Sequence, residues 1–264
     1  MKNIVFLGGG RITSALIAGL RLARFERLII VHDPHPQKLE ELKRRYGVKV
    51  EGDLHRAVRS AGMLVIAVRP DSVRGLLEEI RPDIDKRMIA VSLAAGVPLA
   101  KLRGASGPGV RWARAMPSPL CRSGGGLTAL AFGRGVSRAE RREVRTLFAE
   151  VGQVLEIPES RFDAFTVTFS SSQGYHALAA LMAAAERVGL DSKTARMAAA
   201  HALADAIAVW RAGSVPLEGL LEEAATPGGT AAAVMAAMDG AGYRKIVERG
   251  LRAGLRQARR NAAR

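Results

Sequence analysis

The first half of the chain alternates short apolar runs with stretches of helical periodicity, the pattern of βαβ units building a parallel sheet. Apolar runs at 4–7, 28–31, 63–68, 88–92 and 110–114 predict strands, and another at 127–132 precedes a basic helix over Arg138–Ala149. Between the first two runs, Ile12, Ala15, Leu16, Gly19 and Leu20 recur at spacings of three and four, so one face of this helix can lie on a sheet. A second helix is predicted over 37–46, after the turn Pro34-His35-Pro36. Past Pro158 the texture changes. Alternation stops, alanine (the strongest intrinsic helix former) becomes abundant, and helical runs fall at 175–188, 192–212, 228–239 and 243–261. Apolar residues on more than one face of 175–188 predict burial within a bundle or against a second subunit. The pattern therefore predicts a doubly wound α/β domain with a mostly parallel sheet over 1–157, and an all-α domain over 158–264. A helical layer this small has little core of its own, so association into a homodimer or higher homo-oligomer is expected.

Chemistry enters directly after the first predicted strand, where Gly8-Gly9-Gly10-Arg11-Ile12-Thr13 leads straight into a helix. In a strand–glycine turn–helix element, backbone N–H groups and the helix N-terminus can receive a pyrophosphate. Gly8 would make the turn and Gly10 would let the phosphates approach, with Arg11, Ile12 and Thr13 opening the helix. Thr13 stands where glycine or alanine normally permits close helix–strand packing. Asp33, at the end of the second predicted strand, is placed to bond the adenosine ribose 2′-hydroxyl and to repel a 2′-phosphate. It favours NADH. Arg11, His35 and Lys38 could instead surround a phosphate, so NADPH stays open and NADH is only slightly preferred.

Composition narrows the remaining classes. The 264 residues carry 40 basic and 25 acidic side chains, a formal net charge of +15. Part of the excess is local: five arginines lie in 134–145, and eight basic residues oppose Glu248 alone in 244–264. No aromatic residue follows Tyr243, and single-strand binding usually adds stacking rings to positive charge. A solvated basic face is expected, without nucleic acid as a ligand. The single cysteine, Cys121, excludes an internal disulfide and a multi-cysteine metal site, and the five histidines lack metal-ligand spacing, so no metal is expected. No apolar run reaches the ~18 residues needed to cross a bilayer, and the apolar start is too short for a secretory signal, which predicts a cytoplasmic protein.

Six segments, in this order and spacing, resemble the Δ1-pyrroline-5-carboxylate reductase family: 5–13 (VFLGGGRIT), Val68-Arg69-Pro70, 91–96 (VSLAAG), 114–117 (RAMP), 170–175 (SSSQGY) and 226–230 (TPGGT). The resemblance implies a Rossmann domain followed by a helical domain through which two chains interlock and which helps bind substrate. It implies NAD(P)H-dependent reduction of a small carboxylated cyclic imine, 1-pyrroline-5-carboxylate, to L-proline. By position, Val68, Arg69 and Pro70 with Ala94, Ala95 and Gly96 would flank the nicotinamide side of the cofactor, and Met116 with Pro117 would approach the ring. Thr226, Gly228, Gly229 and Thr230 would hold the substrate carboxylate; a threonine hydroxyl beside consecutive N–H groups near a helix start makes an anion nest in its own right.

Hydride transfer to a protonated imine asks for no nucleophile, because the cofactor carries the hard step while the protein fixes geometry. The proton could come from Ser171, Ser172, Tyr175 or water; His176 reads as a structural residue. The chain departs from the family at Ser118, Pro119 and Leu120, where Asn-Thr-Pro is usual. It also has Ala231 in place of a second threonine after the paired glycines, and Leu181 and Ala185 where acids are common. These changes gather at the substrate pocket and spare the phosphate loop. The alternatives are therefore a related reductase or dehydrogenase for another small carboxylated imine or oxo acid, or a non-catalytic nucleotide-binding protein.

Overall fold

A computed structural model describes residues 3–85 and 88–263. They form two compact units, one of the chain up to Phe169 together with the segment from Gly254 on, the other of Ser170–Ala253.

The first unit holds strands β1 (Ile4–Leu7), β2 (Ile29–His32), β3 (Lys49–Val50), β4 (Met63–Ile66), β5 (Ile89–Ser92), β6 (Arg111–Pro117), β7 (Gly126–Phe132) and β8 (Gly152–Glu156). Helices α1 (Arg11–Leu22), α2 (Pro36–Tyr46), α3 (Leu54–Arg59), α4 (Val73–Ile80), α5 (Leu99–Ser106), α6 (Arg138–Ala149) and α7 (Glu159–Thr168) connect and follow them. The eight strands are ordered β3-β2-β1-β4-β5-β6-β7-β8, all parallel except the β6–β7 pair. This is the doubly wound Rossmann architecture. β1 lies between β2 and β4, so the chain leaves it to one side and then returns to the other. At that switch point the loops beyond the strand ends diverge and open a crevice.

Successive residues of a strand face opposite sides of the sheet, and the first unit has a core on each side. Ile4, Phe6, Ile17, Leu20, Met63 and Phe148 pack on one side; Val5, Leu7, Leu64, Ile66, Leu77 and Trp112 pack on the other. β1 and β4 are buried at every position, which explains why they read as unbroken apolar runs. Two strands escape the apolar pattern. β3 is two residues long, and β8 (GQVLE) is a half-exposed edge with polar residues in it. β6 runs three residues past 114 because β7 pairs back along it, Met116 opposite Ala129 and Pro117 opposite Thr128.

α1 approaches the turn at Pro119–Ser123 closely enough to exclude a side chain at Gly19: an added Cβ would lie 2.0 Å from the Cys121 carbonyl oxygen and 2.9 Å from Val151. Gly19→Ala is expected to lower stability by about 3 kcal/mol, the upper range for forcing a methyl group into a packed core. Denaturant unfolding with an unchanged midpoint would contradict this packing.

In the second unit, α8 (Ser171–Arg187) and α9 (Ser192–Ala212) pack on each other, followed by α10 (Leu217–Ala224), α11 (Thr230–Gly240) and the start of α12 (Tyr243–Ala263). Asp191 caps α9 by accepting from the Lys193 and Thr194 amides. Of the described residues 170–253, just Ala195 and Ala199 are buried, while Tyr175, Met197, Val209, Trp210, Val234 and Ile246 stand exposed. Among the described residues no helix is long and apolar enough to cross a membrane.

Candidate active site

The glycine loop lies at the C-terminal end of β1, beside the switch point. Gly8 is fixed by two constraints. Its φ of +108° is strained for any residue with a side chain, and an added Cβ would meet the Ala67 carbonyl oxygen at 2.6 Å. Its amide donates to the His32 carbonyl at 2.8 Å, tying the loop to the end of β2. Gly10, by contrast, has no neighbour within 4 Å of an added Cβ and faces open space. It is the N-cap of α1, with no side-chain cap and no acidic residue in the first turn, so the leading amides of the helix are left for an external acceptor. Arg11 is exposed at the first helical position and Ile12 is half-buried. These features fit a dinucleotide pyrophosphate: an open cradle, unfilled helix donors and an adjacent guanidinium. Thr13 is fully buried, and its hydroxyl donates to the Gly8 carbonyl at 2.6 Å. Its side chain therefore braces the loop from below, which is how a residue larger than glycine or alanine is accommodated there.

Asp33 stands one residue beyond β2 and is buried. Its Oδ2 accepts from the Gly9 amide at 2.8 Å and lies 3.4 Å from Lys38 Nζ. Its Oδ1 accepts from the His35 amide at 2.9 Å and faces His35 Nδ1 at 2.8 Å. Burial on its own would raise the carboxyl pKa, but the two amide bonds, the His35 ring and the Lys38 charge outweigh it and hold the group below its ordinary value.

The other cofactor candidates sit at neighbouring strand ends. Val68, Arg69 and Pro70 follow β4, with Arg69 exposed. Ala94, Ala95 and Gly96 follow β5, and the bare face of Gly96 lies against Ala258 of α12, where a Cβ would come within 3.0 Å of the Ala258 carbonyl oxygen. Met116 and Pro117 end β6. The structure thus aligns Gly8–Thr13, Asp33, 68–70, 94–96 and 116–117 along one edge of the sheet.

A group that the sequence reading missed supports this edge. Arg114, 1% exposed in the middle of β6, bonds Glu159 at 3.1 Å and Asp163 at 2.7 Å, both on α7, and its guanidinium stacks over Phe162 at 4.2 Å. Glu159 also accepts from the Leu99 amide at 2.9 Å, satisfying a first-turn donor of α5. One carboxylate therefore joins the β6 strand to the end of the 94–98 loop. The signal was present in the sequence, since an arginine inside an apolar strand demands acidic partners.

The second unit carries the remaining candidates. Ser171, Ser172 and Tyr175 are exposed on the first turns of α8, where Ser170 Oγ and Ser172 Oγ are 2.6 Å apart; His176 is exposed beside them. Thr226–Thr230 forms a turn closed by the Gly229 amide donating to the Thr226 carbonyl at 2.9 Å. Gly228 has a φ of +77°, and Thr226 Oγ1 lies 2.6 Å from where a Gly229 Cβ would be, so the hydroxyl sits over the loop backbone. Gly229 is the N-cap of α11, without a side-chain cap or an acid in its first turn. Thr230 starts that helix, and Ala231 brings no hydroxyl. Cys121 is buried with its thiol pushed up to about 11 by desolvation, which removes it as a nucleophile near neutral pH.

Comparison with known proteins gives a match in each half of the chain. A family model described as "NADP oxidoreductase coenzyme F420-dependent" matches residues 3–96, and one described as "Pyrroline-5-carboxylate reductase dimerisation" matches residues 159–261. The pyrroline-5-carboxylate reductase of Mycobacterium tuberculosis is 32% identical over 279 residues, covering 96% of this chain and 94% of that protein. This chain belongs to the pyrroline-5-carboxylate reductase family. The Corynebacterium melassecola member is 31% identical, covering 92% of this chain and 93% of its own length. Among solved members, the pyrroline-5-carboxylate reductase from Coxiella burnetii superimposes with a TM-score of 0.87 at 24% identity, over 99% of this chain and 98% of that one. The Plasmodium falciparum pyrroline carboxylate reductase, solved with NADP bound, gives 0.86 at 19% identity, over 99% of this chain and all of that one. At these identities the likeness to the solved members is one of fold. The reductase family thus accounts for both the Rossmann sheet and the helical segment after it.

Proposed function

We propose that the chain reduces 1-pyrroline-5-carboxylate to L-proline. A reduced nicotinamide dinucleotide, bound along the strand ends of the first unit, would supply the hydride. The observation that carries this reading is full-length similarity at 31–32% identity to two reductases of that name, together with an open anion cradle at the switch point of the sheet. In this reading Gly8 shapes the phosphate loop, and Gly10 with the leading amides of α1 receives the pyrophosphate. Segments 68–70, 94–96 and 116–117 wall the nicotinamide end, and Arg114 with Glu159 keeps two of those walls in register. Thr226, Gly228, Gly229 and Thr230 grip the substrate carboxylate by hydroxyl and amide donors. Ser171, Ser172 or Tyr175 holds the proton at the imine nitrogen, which makes the imine carbon electrophilic. No covalent intermediate is required.

Residues 158–264 act in this reading as the dimerisation domain, and the exposed apolar side chains of α8–α12 are its contact surface in a homodimer or larger homo-oligomer. A second reading, reduction of another small carboxylated imine or oxo acid, draws support from Ala231, which removes one hydroxyl from the carboxylate grip.

Steady-state oxidation of the reduced dinucleotide with 1-pyrroline-5-carboxylate tests the proposal. Thr226→Ala is expected to raise the KM for the imine about tenfold, the loss of one hydrogen bond to a charged group, and to leave the dinucleotide KM within about twofold. Turnover of a different imine or oxo acid in place of 1-pyrroline-5-carboxylate would move the assignment to the second reading.

A further inference from the structure

We propose that the groove between α4 and α5 is a second ligand site, one that takes a small aliphatic carboxylate and lies apart from the dinucleotide crevice. The groove encloses about 430 Å³, within the usual range of small-molecule pockets. Its chemistry does not depend on which imine the chain reduces.

The floor is apolar. Val73 and Leu77, one turn apart on α4, and Val97, just before α5, are buried in the second core and line the groove with what remains of their surface. The space exists because α5 brings small residues to it. Gly104 has nothing within 4 Å of an added Cβ, and Ala100 lies one turn before it on the same face. Along each helix the lining spans five residues, a rise of about 8 Å, which suits a hydrocarbon body of roughly six to eight carbons.

Charge selects the head group. Arg74 Nε donates to Glu78 Oε1 at 2.9 Å, so those two rim charges offset each other within α4. Lys101, also on the rim, is exposed and has no ion pair among the described residues. One uncompensated positive charge beside an apolar floor matches a single negative charge at the end of an apolar body. An amine meets like charge there, and an alcohol leaves the ammonium without a counterion. Asn261 of α12 adds a second donor. Its side-chain oxygen accepts from Gln257 at 3.0 Å, which leaves its NH2 protons for the ligand.

The groove borders the nicotinamide walls without being part of the crevice between them. Pro70 ends the segment 68–70 and Val97 follows the segment 94–96, so the ligand touches the places where both walls pass into their helices. Ala258, three residues before Asn261, is the one that packs on Gly96.

Titration calorimetry of octanoate, octanol and octylamine into the full chain, with and without saturating NADPH, tests the site. Octanoate is expected to bind about tenfold tighter than the alcohol or the amine, the worth of one charge-assisted bond. Its affinity should be unchanged by NADPH. Lys101→Gln should remove the advantage of octanoate over octanol. Gly104→Leu, at a helical position whose φ is not positive, should fill the groove and abolish octanoate binding while NADPH affinity is kept. Equal affinity for octanoate and octanol would overturn the proposal, as would displacement of octanoate by NADPH, which places it in the cofactor crevice. Binding that survives Gly104→Leu would place it on the exposed helices instead, and no octanoate binding at millimolar concentration would dismiss the site outright. Should Gly104→Leu not fold, Lys101→Gln decides the matter alone. If NADPH itself does not bind the unaltered chain, the reductase reading falls, and the comparison of the three octyl compounds still judges the groove.

Discussion

Gly8→Ala is expected to cost the chain its dinucleotide affinity while leaving the sheet folded. The new methyl group would sit 2.6 Å from the Ala67 carbonyl oxygen and 2.9 Å from its carbon, on a residue whose φ is +108°. Neither strain is relieved by a side-chain rotation, since the obstructing atoms are backbone of the loop after β4. The loop must therefore swing away from β4. Strain and overlap of this kind cost about 2–3 kcal/mol each way the loop can relax, which corresponds to an affinity loss on the order of a hundredfold. Calorimetric titration with NADPH reads the affinity, and the melting temperature separates local from global damage. An affinity within about threefold of the unaltered chain would show that the pyrophosphate does not rest on this loop.

Arg114→Ala is expected to be the most destabilising single change in the first unit. Three losses coincide: a fully buried side chain is emptied, the stack over Phe162 is lost, and the Glu159 and Asp163 carboxylates are left without their cation. Both acids keep roughly a third of their side-chain surface in water, which moderates the electrostatic part. Breaking such a pair with truncation of the buried partner costs about 3–5 kcal/mol. Arg114→Met refills much of the volume and isolates the charge, so it should lose less, about 2 kcal/mol. Equilibrium denaturation of both proteins checks this; equal losses would assign the whole effect to charge. Asp163 has a single role in the clamp, whereas Glu159 also holds α5.

The parallel strands were legible because a strand buried on both faces leaves an unbroken apolar run, as in 4–7 and 63–66. The edges were not. β3 has two residues and β8 keeps polar side chains in water, so neither bears a core signature. The phosphate loop was legible because glycine has a backbone meaning that no other residue shares. Asp33 shows the converse. Its position at the end of β2 could be read, but the direction of its carboxylate depends on Gly9, His35 and Lys38, which surround it in space. Arg114 could be recognised as part of a family segment, yet its partners lie 45 and 49 residues further on, and no local pattern connects them. Thr13 resembled a mismatch in the glycine fingerprint until its hydroxyl was seen to close on the Gly8 carbonyl.

The helices from Ser170 to Ala253 bury two alanines and leave an indole, two phenols and many aliphatic groups facing water. Such a segment gains little by ordering in solitude, and its free energy of folding comes from a neighbour. Its maturation is accordingly expected to be second order, slowed by dilution and hastened by abundant expression. Heat resistance of this reductase is then a property of how many copies share the solution as much as of any one of them.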